Sequence, residues 1–275
     1  MSLKSIILLA GAAMGHTIFS RDTKFGCGAP DPTDELLEIS RKFALQEAAS
    51  REMGLLSNKA LHVNVYLHSV ASSEGSVLSD ETLQAQFDVL ASDFAPHGVT
   101  MSLAGTTKTV NADWSSDRAE MEMKAELRQG SYSDLNIYLQ DDLGGLLGYC
   151  YYPTYAPEGS DAFLRDGCSV LSASVPGGSA AGYNLGKTAT HEVGHWFGLI
   201  HTFEGGCSGS GDEVADTPAQ SGPSSGCPVG RDSCPNDPGM DPIHNYMDYS
   251  EDACYEEFTA GQQQRINSFW SEYRG

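Results

Sequence analysis

The chain has 275 residues, 40% of them hydrophobic and 19% charged, enough for one large domain or two subdomains sharing a core. Its 16 basic and 37 acidic side chains leave a formal charge of −21, which repels polyphosphate and argues against nucleic acid or an anionic membrane as a partner. A soluble, acidic monomer is expected.

The opening "MSLKSIILLAGAAMGHTIFS" places Lys4 before an apolar run from Ile6 to about Met14, with small residues following it. This is the layout of a secretory signal peptide over residues 1–19; the run is too short to span a bilayer, which takes about 20 residues. An extracellular destination lets disulfides persist, so the seven cysteines read as six paired and one free. Cys27 stands alone, Cys150 and Cys168 flank one loop, and Cys207, Cys227, Cys234 and Cys254 crowd the last third. The last four allow three connectivities, and spacing does not choose among them. A four-thiolate zinc site is the rival there, but no CxxC occurs and secretion favours disulfides.

Residues 20–58 hold the turn-prone "CGAPDPTDE" and then "ELLEISRKFALQEAASREMGLL", rich in helix formers, which reads as a pro-segment or a peripheral helix. A strand is expected over Leu61–Val70, where Leu61, Val63, Val65 and Leu67 alternate with polar neighbours. A helix from Ser79 or Asp80 follows, with Leu83, Phe87, Leu90, Ala91 and Phe94 on one stripe. Short strands are expected at Val99–Leu103 and Leu135–Asp141, and the Gly-rich "LGGLLGYCYYP" as an edge strand with exposed backbone. This mixture implies an α+β sheet domain. Residues 202–258 are dense in Gly, Pro, Ser, Asp and Cys and should be irregular and disulfide-held. Thr259 with Gln262 forms a capping box for a final helix.

The segment "HEVGHWFGLIH" carries the chemistry. On a helix His191 and His195 project from one face a turn apart, near enough to share an ion, and neutral imidazole suits zinc. Glu192 points about 100° away around the helix, beside the metal rather than on it, where a general base belongs. Gly198 can take a left-handed conformation that ends the helix and turns His201 back as third ligand. Three protein ligands leave a position for water, the arrangement of catalytic zinc. His62, His68, His97 and His244, standing alone, read as satisfied structural histidines.

This signature, together with "NYMDYS", "HTFEGGC", "DTPAQ", "CPVGRDSCP" and "DPIHNYMDY", resembles the pappalysin family of metzincin metalloproteases, particularly secreted fungal ones. The motifs cover about residues 144–270. The resemblance implies a mixed sheet and active-site helix in an upper subdomain to about residue 201, and a lower subdomain over 202–275 that ends in a helix, the two making a catalytic domain of 59–275. It also implies Met247 as an apolar floor below the ligands and Tyr249 as a phenol that reaches the oxyanion. For the disulfides it favours Cys207 with Cys234 and Cys227 with Cys254, which leaves Cys150 with Cys168.

The expected activity is zinc-dependent hydrolysis of polypeptides, with Glu192 accepting a proton from water and returning it to the leaving nitrogen, and substrate adding as a strand to the edge near Leu143–Tyr149. The free Cys27 lies between signal peptide and first strand, where a thiolate can occupy the water position as a cysteine switch. Arg41, Lys42, Arg51 and Lys59 are the basic candidates for the activating cut. Asp212, Glu213 and Asp216 are candidate calcium ligands, as related family members suggest, with a solvated acidic loop as the alternative. Two rivals remain: a zinc hydrolase of non-peptide amides, and an inactive zinc-containing binding module, against which Glu192 argues.

Overall fold

The computed structural model describes residues 26–55 and 60–275; the expected signal peptide lies outside them. A six-stranded mixed sheet runs in the order β1 (Gly26–Cys27), β5 (Leu146–Cys150), β6 (Cys168–Leu171), β4 (Leu135–Gln140), β2 (Leu61–Ala71), β3 (Val99–Val110). Every neighbouring pair is parallel except β5 with β6. The alternation read in β2 holds, since Val63, Val65 and Leu67 are fully buried. Parallel β2 and β3 need a crossover, and α2 (Asp80–Phe94) supplies it, capped by Ser79 and burying Leu83, Phe87, Leu90 and Phe94.

β3 is longer than expected. Its threonines and Val110 carry the ladder on to Ala71, and a register slip between Val65 and Tyr66 absorbs Ala104 as a bulge. Gly105 lies there against the Tyr66 ring, 3.2 Å from where a Cβ would sit. This Gly in a strand interior is what hid the continuation. The Gly-rich edge also differs from expectation. Its backbone is covered, because β1 pairs parallel with β5, Gly26 opposite Leu146 and Cys27 opposite Gly148.

β6, α3 (Glu120–Leu127) and α4 (Asp161–Arg165) complete this half, and Cys150 and Cys168 form a cross-strand pair joined by a disulfide. Helix α5 (Lys187–Trp196) packs on the same core through Ala189, Val193 and Trp196. Asp93 of α2 anchors its first turn, accepting from Lys187 Nζ at 2.6 Å and from Thr190 Oγ1 at 2.7 Å.

Beyond His201 the chain is irregular until α6 (Ala260–Tyr273), apart from a 3-10 turn at Asp252–Cys254 and one isolated bridge. Disulfides Cys207–Cys234 and Cys227–Cys254 staple it, as the resemblance implied. Thr259 and Gln262 form the expected capping box. Between β1 and β2, α1 (Asp34–Glu52) lies against α6, capped by Thr33. No helix among the described residues is long and apolar enough to cross a membrane.

Candidate metal centre and substrate cleft

The three histidines converge. Their Nε2 atoms lie 3.2 Å (His191–His195), 3.2 Å (His191–His201) and 3.0 Å (His195–His201) apart. Nδ1 of His191 donates to the Tyr246 carbonyl at 2.6 Å and Nδ1 of His195 to the Leu199 carbonyl at 2.8 Å. A carbonyl only accepts, so these two rings carry their proton on Nδ1 and turn Nε2 lone pairs inward. Burial holds His191 down to about 4 and His195 and His201 well below the usual range, so all three are neutral at pH 7. Lone pairs so close repel unless a cation lies between them. Zinc–nitrogen bonds of about 2.0–2.1 Å at tetrahedral angles put nitrogens about 3.3 Å apart, so the donor set fits zinc.

Two glycines make this geometry possible. Gly198 has φ +93°, and a Cβ there would fall 2.3 Å from the Phe269 ring, so only glycine ends α5 in the turn that returns His201. Gly194 faces Met247, whose Sδ would lie 2.3 Å from a Cβ; the fully buried Met247 fills that space behind the helix. Thr202 N donates to the Met247 carbonyl at 3.2 Å, tying the His201 segment to the same turn.

Glu192 points towards β5, where a Cβ on Gly148 would come 2.8 Å from its Cγ. Burial pushes its carboxyl up to about 8, opposed by hydrogen bonds from Cys27 and the Cys150 amide. Tyr249 lies across the site, its ring centroid 5.6 Å from that of His191 and 5.0 Å from that of His201. Burial also raises the Tyr249 hydroxyl, with the neighbouring Cys27 and Glu192 adding to it.

Cys27 is the one free cysteine among the described residues, and β1 delivers it to the histidines. Its Sγ lies 3.4 Å from His195 Nε2, and its thiol donates to Glu192 Oε2 at 3.5 Å. Burial and then the Glu192 charge raise this thiol well above the usual range.

Asp212, Glu213 and Asp216 do not converge. Asp212 accepts from Thr217 and the Val214 amide, Glu213 pairs with Arg41 at 2.9 Å, and Asp216 accepts from Thr259 and the Gly261 amide at the start of α6. Among the described residues, His/Cys/Asp/Glu groups gather tightly enough for a metal at Cys27–His191–His195–His201 and at Cys227–His244–Cys254. The second is closed by the Cys227–Cys254 disulfide.

One acidic residue went unread in the sequence. Beside Glu192 a pocket lined by Leu147, Tyr183, Thr188 and Tyr255 has Asp252 in its wall. Asp252 Oδ2 accepts from the Leu185 and Lys187 amides at 2.8 and 3.3 Å, whereas the buried Oδ1 has no hydrogen-bond partner. Burial pushes this carboxyl up to about 6. Nothing in the spacing of "SEDACYEE" singles it out.

A third imidazole brought back by a glycine-ended helix, above a buried methionine turn, places the fold and site among the metzincin-type zinc metalloproteases. The family within that class is shown by sequence: the peptidase M43 model, described as pregnancy-associated plasma protein-A, matches residues 130–271, and the chain belongs to that family. It is 56% identical to an extracellular metalloprotease of Podospora anserina, over 98% of this chain and 97% of that one. Mature mirolysin of Tannerella forsythia, solved with a cleaved peptide, is 30% identical with a TM-score of 0.64, covering 77% of this chain and 92% of that one. A promirolysin mutant of the same organism is 27% identical with a TM-score of 0.66, covering 89% and 93%. As a protease, the protein acts on polypeptides.

Proposed function

We propose that the protein is a secreted endopeptidase made as a cysteine-switch zymogen, with His191, His195 and His201 holding zinc and Glu192 as general base. The carrying observation is the set of three inward Nε2 atoms, 3.0–3.2 Å apart, with Glu192 beside them under the β5 edge. Zinc held there supplies a Lewis acid that acidifies water and polarises the scissile carbonyl. Glu192 takes the proton of the attacking water and passes it to the leaving amine. Tyr249 donates to the carbonyl oxygen as negative charge develops. Met247 keeps the floor apolar and the ligand helix at its height. The substrate adds to β5 as an extra strand in the place β1 takes, so flexible polypeptide is preferred.

The unpartnered carboxylate oxygen of Asp252 favours substrates whose side chain in that pocket is basic, because a buried carboxylate gains most from a cation. Peptides with Arg or Lys beside the scissile bond should be cleaved faster than those with Leu, and Asp252→Asn should erase the difference; an undiminished preference would sink this assignment.

Latency follows from Cys27 and β1 filling metal site and strand edge together. The promirolysin likeness covering 89% of the chain, against 77% for the mature form, accords with a removable pro-segment over 20–58 behind a signal peptide of 1–19, leaving a catalytic domain of 59–275. For calcium, Glu213 and Asp216 are bonded to separate protein groups, and although the buried Asp212 Oδ2 has no hydrogen-bond partner, the three carboxylates do not gather into one ligand set.

The test is cleavage of labelled casein by the processed protein, with and without a zinc chelator, beside Glu192→Ala with its zinc measured. Cleavage that the chelator stops, and a variant that keeps zinc yet is inert, is expected. Equal zinc, equal folding and no cleavage by either protein would favour the binding-module rival.

A further inference from the structure

We propose that the catalytic-domain face beneath α1 is a helix-binding site for this chain's own excised segment, which stays docked and inhibitory after a single cut between α1 and β2. The inference rests on the latency reading above.

The contact is charge-complementary in both directions. Glu47 of α1 accepts from Arg265 Nε and Nη2 at 3.1 Å each, and from Ser268 Oγ at 2.8 Å. Arg265 is 1% exposed, so the carboxylate that neutralises this buried guanidinium belongs to the segment to be removed. In the opposite sense Arg41 Nε of α1 meets Glu213 Oε1 at 2.9 Å. Apolar contact adds to the two pairs. Leu36 and Phe43 are buried with Ile200 and Phe269, and the Phe43 and Phe269 rings meet edge-to-face at 5.0 Å.

The position of this face matters as much as its strength. Ile200 precedes His201, so α1 presses on the turn that returns the third imidazole. Only Gly28–Thr33 separates Cys27 from α1. A docked α1 therefore holds the thiol near the histidines at high effective concentration whether or not the chain beyond α1 is intact. Most of a helix's stability comes from packing its amphipathic face rather than from propensity, so the segment orders on docking and specific side chains decide its affinity.

The experiment uses the full-length zymogen with a specific protease site inserted between α1 and β2, cut once. Gel filtration reads whether the segment co-elutes, and casein cleavage after serial dilution reads its release. Expected is co-elution, with activity appearing only on dilution. Glu47→Gln should raise the dissociation constant about 30-fold or more, since truncating one partner of a buried charge pair costs that much. Phe43→Ala should also weaken it, and neither change should alter the enzyme freed of the segment. Immediate loss of the segment from the nicked parent, or equal retention by both variants, overturns the proposal. A zymogen active before any cut would refute latency instead, while co-elution still reports the docking.

Discussion

The halves of the molecule before and after His201 are held by different forces. In the first, burial is apolar and periodic: Val63, Val65, Leu67, Val70, Leu83 and Leu90 are all fully buried. In the second, the buried set includes Asp212, Glu213, Gln220, Ser224, Asp241, Asn245 and Asp248. There a side chain does what a ladder does elsewhere: Asp248 alone accepts from Gln220 Nε2 and the Ser224 and Tyr249 amides. Such bonds add little net stability, so the lower half relies on disulfides that limit the unfolded chain. The three converging histidines sit at the joint, two on a core helix and one on the first turn of the irregular half.

That joint is where the contrast breaks most severely. Gly198→Ala asks for φ +93° and drives a methyl into Phe269, so His201 should be displaced, with kcat/KM falling about 100-fold or more and bound zinc falling with it. Activity with full zinc would show that the turn tolerates a side chain. Next, Leu67→Ala in the upper core should cost about 2–5 kcal/mol by denaturant midpoint. Cys227→Ser with Cys254→Ser should cost about 2–4 kcal/mol, and limited proteolysis should then cut first within 202–258; first cuts in the sheet would erase the distinction.

The smallest effect is an opposed pH dependence. Burial holds His68, in β2, down to about 4 from 6.5, so the unfolded chain binds its proton first and the upper half loses stability as pH falls from 6.5 towards 4. Burial pushes Asp212 up to about 7 from 3.8, so the folded chain holds its proton longer and the lower half loses stability as pH rises through that window. Melting temperatures across pH 4–7 should show Asp212→Asn flattening the second slope and leaving the first.

Much of this was legible residue by residue. The β2 alternation, the α2 stripe, the Thr259 cap and the HEVGHWFGLIH spacing are local patterns, and local patterns survive folding. Other features had no local signal. Lys124 stands in a stretch without a readable pattern, yet it is fully buried, its Nζ 2.8 Å from Glu120 and within 5.7 Å of the Tyr138, Tyr149 and Tyr151 rings. Tyr149 in turn donates to Asp117 at 2.9 Å, so this set braces β5 from behind. Arg265 likewise looks like a surface residue of α6 until α1 covers it.

By itself, then, the sequence determined which donors converge, because their helical spacing and a glycine where the backbone turns left-handed are written locally. Tertiary structure alone decided what surrounds them: that β1 closes the β5 edge, that Asp252 reaches the pocket beside Glu192, and that the carboxylates of the acidic loop point to different partners. Those contacts join residues far apart in the chain, and such pairing is settled by packing and charge neutralisation rather than by anything periodic.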